Sequence, residues 1–307
     1  MKMLDKERFN KVSESIMKYG RGLEKSLFKK YFNNASDQLV INELKKFQNE
    51  DGGFGHGIES DFRLPYSSPM ATSVGVRILS KVNSSDESRE MIKAAIEYLE
   101  RSFCKKRNGW FAVSKEVNNF PHAPWWHYSE DLKMTVIDKN WGNPSAEIIA
   151  YLYKYRENVR KLNVDNLIEY AINYIENKKE FNSENELFCY IKLYKVLPEK
   201  LQKRLEKVIS LAIDEVIIYD EKRWHEYVPT PIDFVKSSNS FRFGVLESKI
   251  NDNLDFVIKK LESNDFIKPP WGKSFYKDDL KEAYNEWIGV LGLKSLITLN
   301  KFNRIKK

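Results

Sequence analysis

The sequence predicts an all-α protein built from about five or six pairs of helices. Apolar residues recur at spacings of three and four in almost every long segment, and no segment alternates apolar with polar residues as a strand would. A turn that carries an aromatic residue also recurs along the chain, and a period of about 45 residues with two helices in each unit is typical of helical-hairpin arrays.

The predicted helices follow one another in chain order. A broken helix pair is expected at residues 9–19 and 23–32. The first helices of the later pairs are predicted at residues 37–47, 89–103, 165–177, 198–216 and 253–261, and the last second helix at residues 281–299. Each first helix is followed by a turn with one aromatic anchor: Phe54, Trp110, Phe181, Trp224 or Trp271.

Two second helices begin with the same kind of cap. Ser68 precedes Pro69, and Asn143 precedes Pro144, so each places an N-cap residue before a proline at the first helical position. The helices that follow carry small or apolar residues on several sides, whereas the first helices are apolar on one side only. We therefore expect the second helices to form the inner, more buried layer.

Composition excludes several classes of protein. The chain has 307 residues, of which 42% are hydrophobic, and this is enough for a sizeable core. The net charge of +7 comes from the ends, because residues 1–30 hold nine Lys or Arg against four Asp or Glu and residues 301–307 hold four basic residues and no acid. A nearly neutral body argues against a nucleic-acid groove. We also expect no signal peptide and no membrane-spanning helix.

The two cysteines, Cys104 and Cys189, cannot form a disulfide framework or a four-ligand zinc site. Both lie in apolar, helix-like segments, so we expect core cysteines in a reducing cytoplasm. The sequence has no H-E-x-x-H and no C-x-x-C motif, and we expect neither a metal ion nor another cofactor.

The turn at residues 48–55 reads Q-N-E-D-G-G-F-G. Gly52 and Gly53 are suited to a positive φ at the end of a helix, and Phe54 to packing between hairpins. Gln48 is suited to capping or bridging backbone groups. The residues of this turn therefore predict a structural role.

The same turn resembles the Q-x-x-D-G-G-(F/W)-G signature of the terpenoid cyclase and protein prenyltransferase superfamily, whose repeat is known as the prenyltransferase and squalene oxidase repeat. Residues 56–63, 121–126 and 143–147 also resemble an uncharacterised bacterial group described as prenyltransferase-like. Helix pairs by themselves allow an open superhelix or a closed ring. The resemblance, which extends over residues 37–299, implies a ring, the α/α toroid, as a single domain of residues 1–307. Residues 1–36 would then close the ring, and residues 301–307 would be a basic tail.

Long loops are predicted to gather at one rim of such a ring, because parallel inner helices place their N-termini together. These are the first loop (residues 56–68), the second loop (residues 112–143), and residues 225–239 and 272–280. All four histidines lie in them, and the helix N-termini favour anionic groups. The candidate catalytic residues are His56, Glu59 and Asp61. The candidate ligand-binding residues are Arg63, His122, Trp125, Trp126, Asn143, Glu147, His225, Trp271 and Glu286.

Each candidate also has a structural interpretation. Glu59, Asp61 and Arg63 form either a site or an exposed ion-pair cluster. The two adjacent tryptophans of the second loop form either a ligand wall or packing at the mouth of the ring. Asn143 is expected first as an N-cap, and Glu147 either faces the cavity or satisfies the end of its helix.

The resemblance leaves the reaction open, because the acidic D-x-D-D motif of class II cyclases and the aspartate-rich motif of class I synthases are both missing. Three functions remain. The first is a terpenoid cyclase-like or prenyltransferase-like enzyme whose small, partly apolar ligand is an isoprenoid or its diphosphate. The second is a carbohydrate-active toroid enzyme that uses paired carboxylates and stacking aromatics. The third is a toroid that binds a ligand or a protein without catalysis.

Overall fold

The computed structural model describes residues 1–306, and within that range every regular element is helical, apart from isolated bridge pairs. The expectation of an all-α chain is therefore confirmed. The twelve α-helices of this range are α1 (Lys6–Tyr19), α2 (Gly22–Phe32), α3 (Gln38–Lys45), α4 (Pro69–Leu79), α5 (Asp86–Arg101), α6 (Gly142–Lys154), α7 (Val164–Glu176), α8 (Glu184–Val196), α9 (Glu199–Val216), α10 (Pro231–Phe234), α11 (Glu247–Asn264) and α12 (Lys281–Lys301).

The chain divides into two compact units. The central unit is Ile41–Ala212, and the terminal unit joins Met1–Val40 to Ile213–Lys307. Among residues 1–306, no helix is both long and apolar enough to cross a membrane.

In the central unit, the second helices of the pairs are the buried ones, as predicted. Helix α6 is buried continuously from Gly142 to Leu152, and it contacts α4 on one side and α8 on the other. By contrast, α5 buries one stripe, which includes Ile92, Ile96 and Leu99. Three neighbouring second helices thus form an inner layer, and the one-sided helices cover it.

The start of α6 agrees with the prediction in its backbone. Asn143 has the non-helical backbone of an N-cap residue, with φ −105° and ψ 105°, and the regular helix continues from Pro144. The side-chain oxygen of Asn143 accepts a weak hydrogen bond from Cys189 Sγ at 3.7 Å. The Ser68 cap is confirmed, because Ser68 Oγ accepts a hydrogen bond from the backbone N–H of Ala71.

The turn at residues 48–55 is held by the contacts that its residue types predict. Gln48 Nε2 donates to the carbonyls of Gly52 and of Met91 on α5, each at 2.9 Å. Phe54 is fully buried, and a Cβ added at Gly75 of α4 would come within 2.6 Å of its ring. The turn therefore ties α4 and α5 together.

The two glycines of this turn serve different purposes. Gly52 has the predicted positive φ of +85°, but Gly53 does not, so the prediction for Gly53 is wrong. A Cβ on Gly53 would instead lie 2.5 Å from the Cβ of Ser67, so that position requires glycine for close packing.

In the terminal unit, α1 packs against α12 and α2, and Leu4 pairs with Ile305. The fourth helix pair lacks a long second helix, because only the single turn of α10 follows Trp224. The expected loose basic tail is also wrong over most of its length. Arg304 is buried, and its guanidinium binds Asp255 and Asn251 of α11. The last residue of that predicted tail, Lys307, lies outside the described residues.

Candidate functional site

The first and second loops of the central unit lie against each other. The backbone N–H of Arg63 donates to the carbonyl of Pro121 at 2.8 Å, and that of Ala123 donates to the carbonyl of Asp61 at 2.8 Å. Phe62 and His122 form an isolated antiparallel bridge between these two bonds. Residues about sixty positions apart in the chain are thereby fixed side by side.

This pairing brings together one carboxylate and two tryptophans. Asp61 is only 6% exposed, and its Oδ2 accepts a hydrogen bond from Trp125 Nε1 at 3.2 Å. Trp126 packs edge-on against Phe62, with ring centroids 5.0 Å apart. The Asp61 carboxylate therefore fixes the half-buried Trp125 ring, and Trp126 lies in the aromatic core beneath.

Trp126 also leaves one donor unused. The residue is 5% exposed, and its Nε1–H is buried with no hydrogen-bond partner among residues 1–306. An unsatisfied buried donor costs about 1–3 kcal/mol. A ligand oxygen placed beside this ring would remove that cost.

His122 lies between a backbone carbonyl and a second histidine. Its Nδ1 is 2.7 Å from the carbonyl oxygen of Phe120, and its Nε2 is 3.2 Å from Nδ1 of His127. The two imidazole planes are within 19° of parallel, and their centroids are 5.5 Å apart. The rings are therefore joined end to end by a hydrogen bond.

His56 has a structural partner in the glycine-rich turn. Its Nε2 is 2.7 Å from Asn49 Oδ1, and Asn49 Nδ2 donates to the carbonyl of Pro65, so the histidine is the donor in this bond. The guanidinium of Arg63 lies over the neighbouring Gly57, where a Cβ would come within 2.8 Å of Nη1. Glu59 is half-buried in the same loop.

A second polar cluster lies within the inner helices. Glu147 on α6 is 1% exposed, and its two oxygens accept hydrogen bonds from Arg77 on α4 at 2.7 and 2.8 Å. Lys192 on α8 donates to Oε2 at 2.7 Å, and Tyr151 donates to Oε1 at 2.6 Å. One carboxylate thus joins three neighbouring helices.

The charges of this cluster decide its protonation. Burial alone would raise the pKa of Glu147, but the positive charges of Arg77 and Lys192 outweigh it, so the pKa lies well below its usual range. With the carboxylate ionised, the cluster carries one net positive charge. The Arg77 and Lys192 side chains are 33% and 31% exposed, although the carboxylate between them is buried.

The predicted residues of the terminal unit form a separate set. His225 is exposed, and its neighbour Glu226 pairs with Arg223 at 3.2 Å. Trp271 stacks edge-on against Tyr227 and Trp287, at 5.4 and 5.0 Å. Glu286 is 3.9 Å from Arg21. The prediction of a single rim concerns both units and stays a prediction.

Sequence reasoning missed Arg77, Lys192 and Tyr151, and it did not single out His127. Arg77 and Lys192 are basic residues within second helices that are otherwise largely apolar, and that contrast was the available signal.

The two cysteines also differ. Cys189 is buried on α8 as predicted, but Cys104 follows α5 and is only half-buried, so the core assignment of Cys104 is wrong. Among residues 1–306, no group of three or more acidic, histidine or cysteine side chains is arranged to hold a metal ion.

Comparisons of this chain with family models, with curated proteins and with solved structures give no significant match. The family resemblance of the 48–55 turn therefore stays a prediction.

Proposed function

We propose that this protein is an enzyme of the terpenoid cyclase and prenyltransferase type, which binds a partly apolar ligand of the isoprenoid diphosphate class. Its helix pairs would form an α/α toroid, a proposal supported by the buried second helices α4, α6 and α8. The free state of both cysteines fits a reducing compartment, and we propose the cytoplasm.

The observation that carries the proposal is the meeting of the first and second loops. Asp61, Trp125 and Trp126 come from two different helix pairs, yet hydrogen bonds and ring contacts hold them together. Aromatic faces stabilise positive charge that develops on an apolar chain, and a nearby carboxylate adds to that effect. The unused Trp126 Nε1–H would donate to an oxygen of the ligand.

The charge of the inner helices supports an anionic ligand group. Arg77 and Lys192 carry two positive charges against the single negative charge of Glu147, and both side chains are one-third exposed. Because Arg77 already makes a bidentate pair with Glu147, its guanidinium is held in place before any ligand arrives. A diphosphate would add acceptors to a cation cluster that is already ordered.

A second candidate is a carbohydrate-active enzyme, and one feature favours it. Tyr66 is 58% exposed and packs edge-on against Phe120, at a centroid distance of 5.8 Å. These rings belong to the same two loops as Trp125 and Asp61. An open aromatic surface beside carboxylates is typical of sites that bind and cleave sugars.

The test is thermal unfolding of the full chain with isoprenyl diphosphates of several chain lengths, with pyrophosphate alone, and with a panel of oligosaccharides. A ligand present at 100 times its Kd stabilises the folded state by about 2.7 kcal/mol. We expect an isoprenyl diphosphate to raise the Tm more than pyrophosphate does, because the apolar chain adds contacts.

Two variants show whether the loops hold the ligand. Trp125→Ala should remove most of the shift, whereas Leu211→Ala, at an exposed apolar position outside both loops, should retain it. A Tm shift with oligosaccharides alone would support the carbohydrate-active enzyme and overturn the isoprenoid proposal. No shift with any compound would overturn both enzymatic proposals.

A further inference from the structure

The direction of the hydrogen bonds at His122 fixes the protons of the histidine pair. The carbonyl oxygen of Phe120 only accepts, so Nδ1 of His122 carries a proton. In the neutral ring, Nε2 of His122 is then an acceptor, and Nδ1 of His127 must donate to it. The proton of His127 is therefore on Nδ1, which leaves Nε2 with a free lone pair.

The surroundings leave that lone pair available. His127 is exposed, and its Nε2 has no bond to any of residues 1–306. The backbone around His127 is fixed by hydrogen bonds. The N–H of His127 donates to the carbonyl of Pro124, and the backbone N–H and carbonyl of Tyr128 both bond to the side-chain amide of Asn118. His127 also directly follows Trp126, whose buried Nε1–H has no partner.

We propose that His127 is a catalytic residue that takes a proton from the ligand, and that His122 is its positioning residue. This inference rests on the proposed function. A C–H or O–H bond of the ligand breaks, its proton goes to Nε2 of His127, and the electron pair stays with the ligand. The resulting imidazolium is stabilised by its Nδ1–H···Nε2 bond to His122, which is itself anchored to the Phe120 carbonyl.

Charged residues lie on the same two segments as the pair. Asp61 and Arg63 flank Phe62, the bridge partner of His122, and the exposed Glu130 and Asp131 follow on the same segment as His127. The bond between the rings requires that one of the two facing nitrogens carries a hydrogen and that the other does not.

The first experiment measures the imidazole nitrogens of the full chain by NMR between about pH 5 and pH 8. His127→Gln assigns the signals, and His225→Gln, at an exposed histidine of the terminal unit, is the control. We expect a neutral form in which His122 and His127 are both protonated on Nδ1, and we expect His127→Gln to shift the nitrogen signals of His122. A neutral His127 that is protonated on Nε2, or His122 nitrogen signals that are the same in both variants, would overturn the proposal.

The second experiment uses an isoprenyl diphosphate that raises the Tm. His127→Gln should keep the thermal shift and lower kcat by at least about 100-fold, the usual contribution of a general base. His122→Leu should move the pH profile of kcat, and His122→Gln, which keeps an acceptor near the place of Nε2, should restore it. Unchanged kcat in His127→Gln would overturn the role of His127. If no isoprenyl diphosphate shifts the Tm, the substrate class fails, and the NMR result alone decides on the histidine pair.

Discussion

The carboxylate of Glu147 is fully buried, yet it is held by the guanidinium of Arg77 through two hydrogen bonds of 2.7 and 2.8 Å. Lys192 on α8 supplies a second cation to the same carboxylate. An ionised group so deep in an inner layer persists only because its partners are already in place. The cluster therefore links the stability of three helices to one side chain.

Replacing Glu147 with Gln should destabilise the central unit by about 3 kcal/mol, since it leaves two cations together without their carboxylate. Urea unfolding measures the change. Glu169→Gln is the control, because Glu169 pairs with Arg204 on the surface, at 2.8 Å, and such pairs contribute less than about 1 kcal/mol. Equal losses in the two variants would contradict a stabilising role for the buried cluster.

The stabilising effect of Glu147 should also depend on pH. Its pKa is lower in the folded state than the value of about 4.3 expected for the unfolded chain. The contribution is therefore complete above about pH 5, and it is lost as the pH falls toward the folded pKa. The difference in unfolding free energy between the wild type and Glu147→Gln should shrink below about pH 4, as urea titrations at several pH values would measure. A constant difference down to pH 2 would mean that Glu147 is not the titrating group.

Gly52→Ala tests the packing of the 48–55 turn against α5. Gly52 and Gly244 share a φ of +85°, but a Cβ at Gly52 would lie 2.4 Å from the carbonyl oxygen of Ala94, whereas a Cβ at Gly244 meets nothing within 4 Å. An alanine at either position would have the same unfavourable positive φ. We expect Gly52→Ala to cost at least about 1 kcal/mol more in chemical unfolding. Similar costs would show that the turn tolerates a shift away from α5.

The two cysteines should differ in reactivity. Burial raises the pKa of the Cys189 thiol to about 12, so almost none of it is thiolate at pH 8. Cys104 is half-buried in the turn after α5. Iodoacetamide should therefore label Cys104 in the native protein and both cysteines in urea, as peptide mass spectrometry would show. Rapid labelling of Cys189 in the native state would indicate that α8 opens readily.

Much of the fold follows from local patterns. The apolar stripe of Ile92, Ile96 and Leu99 predicts α5, and the Ser68-Pro69 pair predicts the start of α4, because these signals act within a few residues. The sequence predicts that Gln48 bridges backbone groups. It does not predict that one of them is the carbonyl of Met91 on α5, since a contact over 43 positions depends on how two helices pack.

The rest depends on tertiary contacts that a single sequence does not reveal. Arg304 looks like part of a basic tail, but Asp255 and Asn251 of α11 bind it once the chain is folded. Asn143 takes the predicted cap position in the backbone, but the contact of its side chain with Cys189 on α8 depends on how two helices pack. The two loops of the candidate site can be recognised from their composition. The hydrogen bond between His122 and His127 cannot, because it depends on where the folded chain places the two imidazoles.

The pairing of Leu4 with Ile305 has a consequence for synthesis on the ribosome. The segment 1–40 is translated before the central unit, but the helices that contact it in the terminal unit are translated only after residue 213. The central unit is one contiguous stretch of chain, so all of its own residues are made before then. Nascent chains should therefore become protease-resistant first in the central unit, with residues 1–40 among the last to become protected.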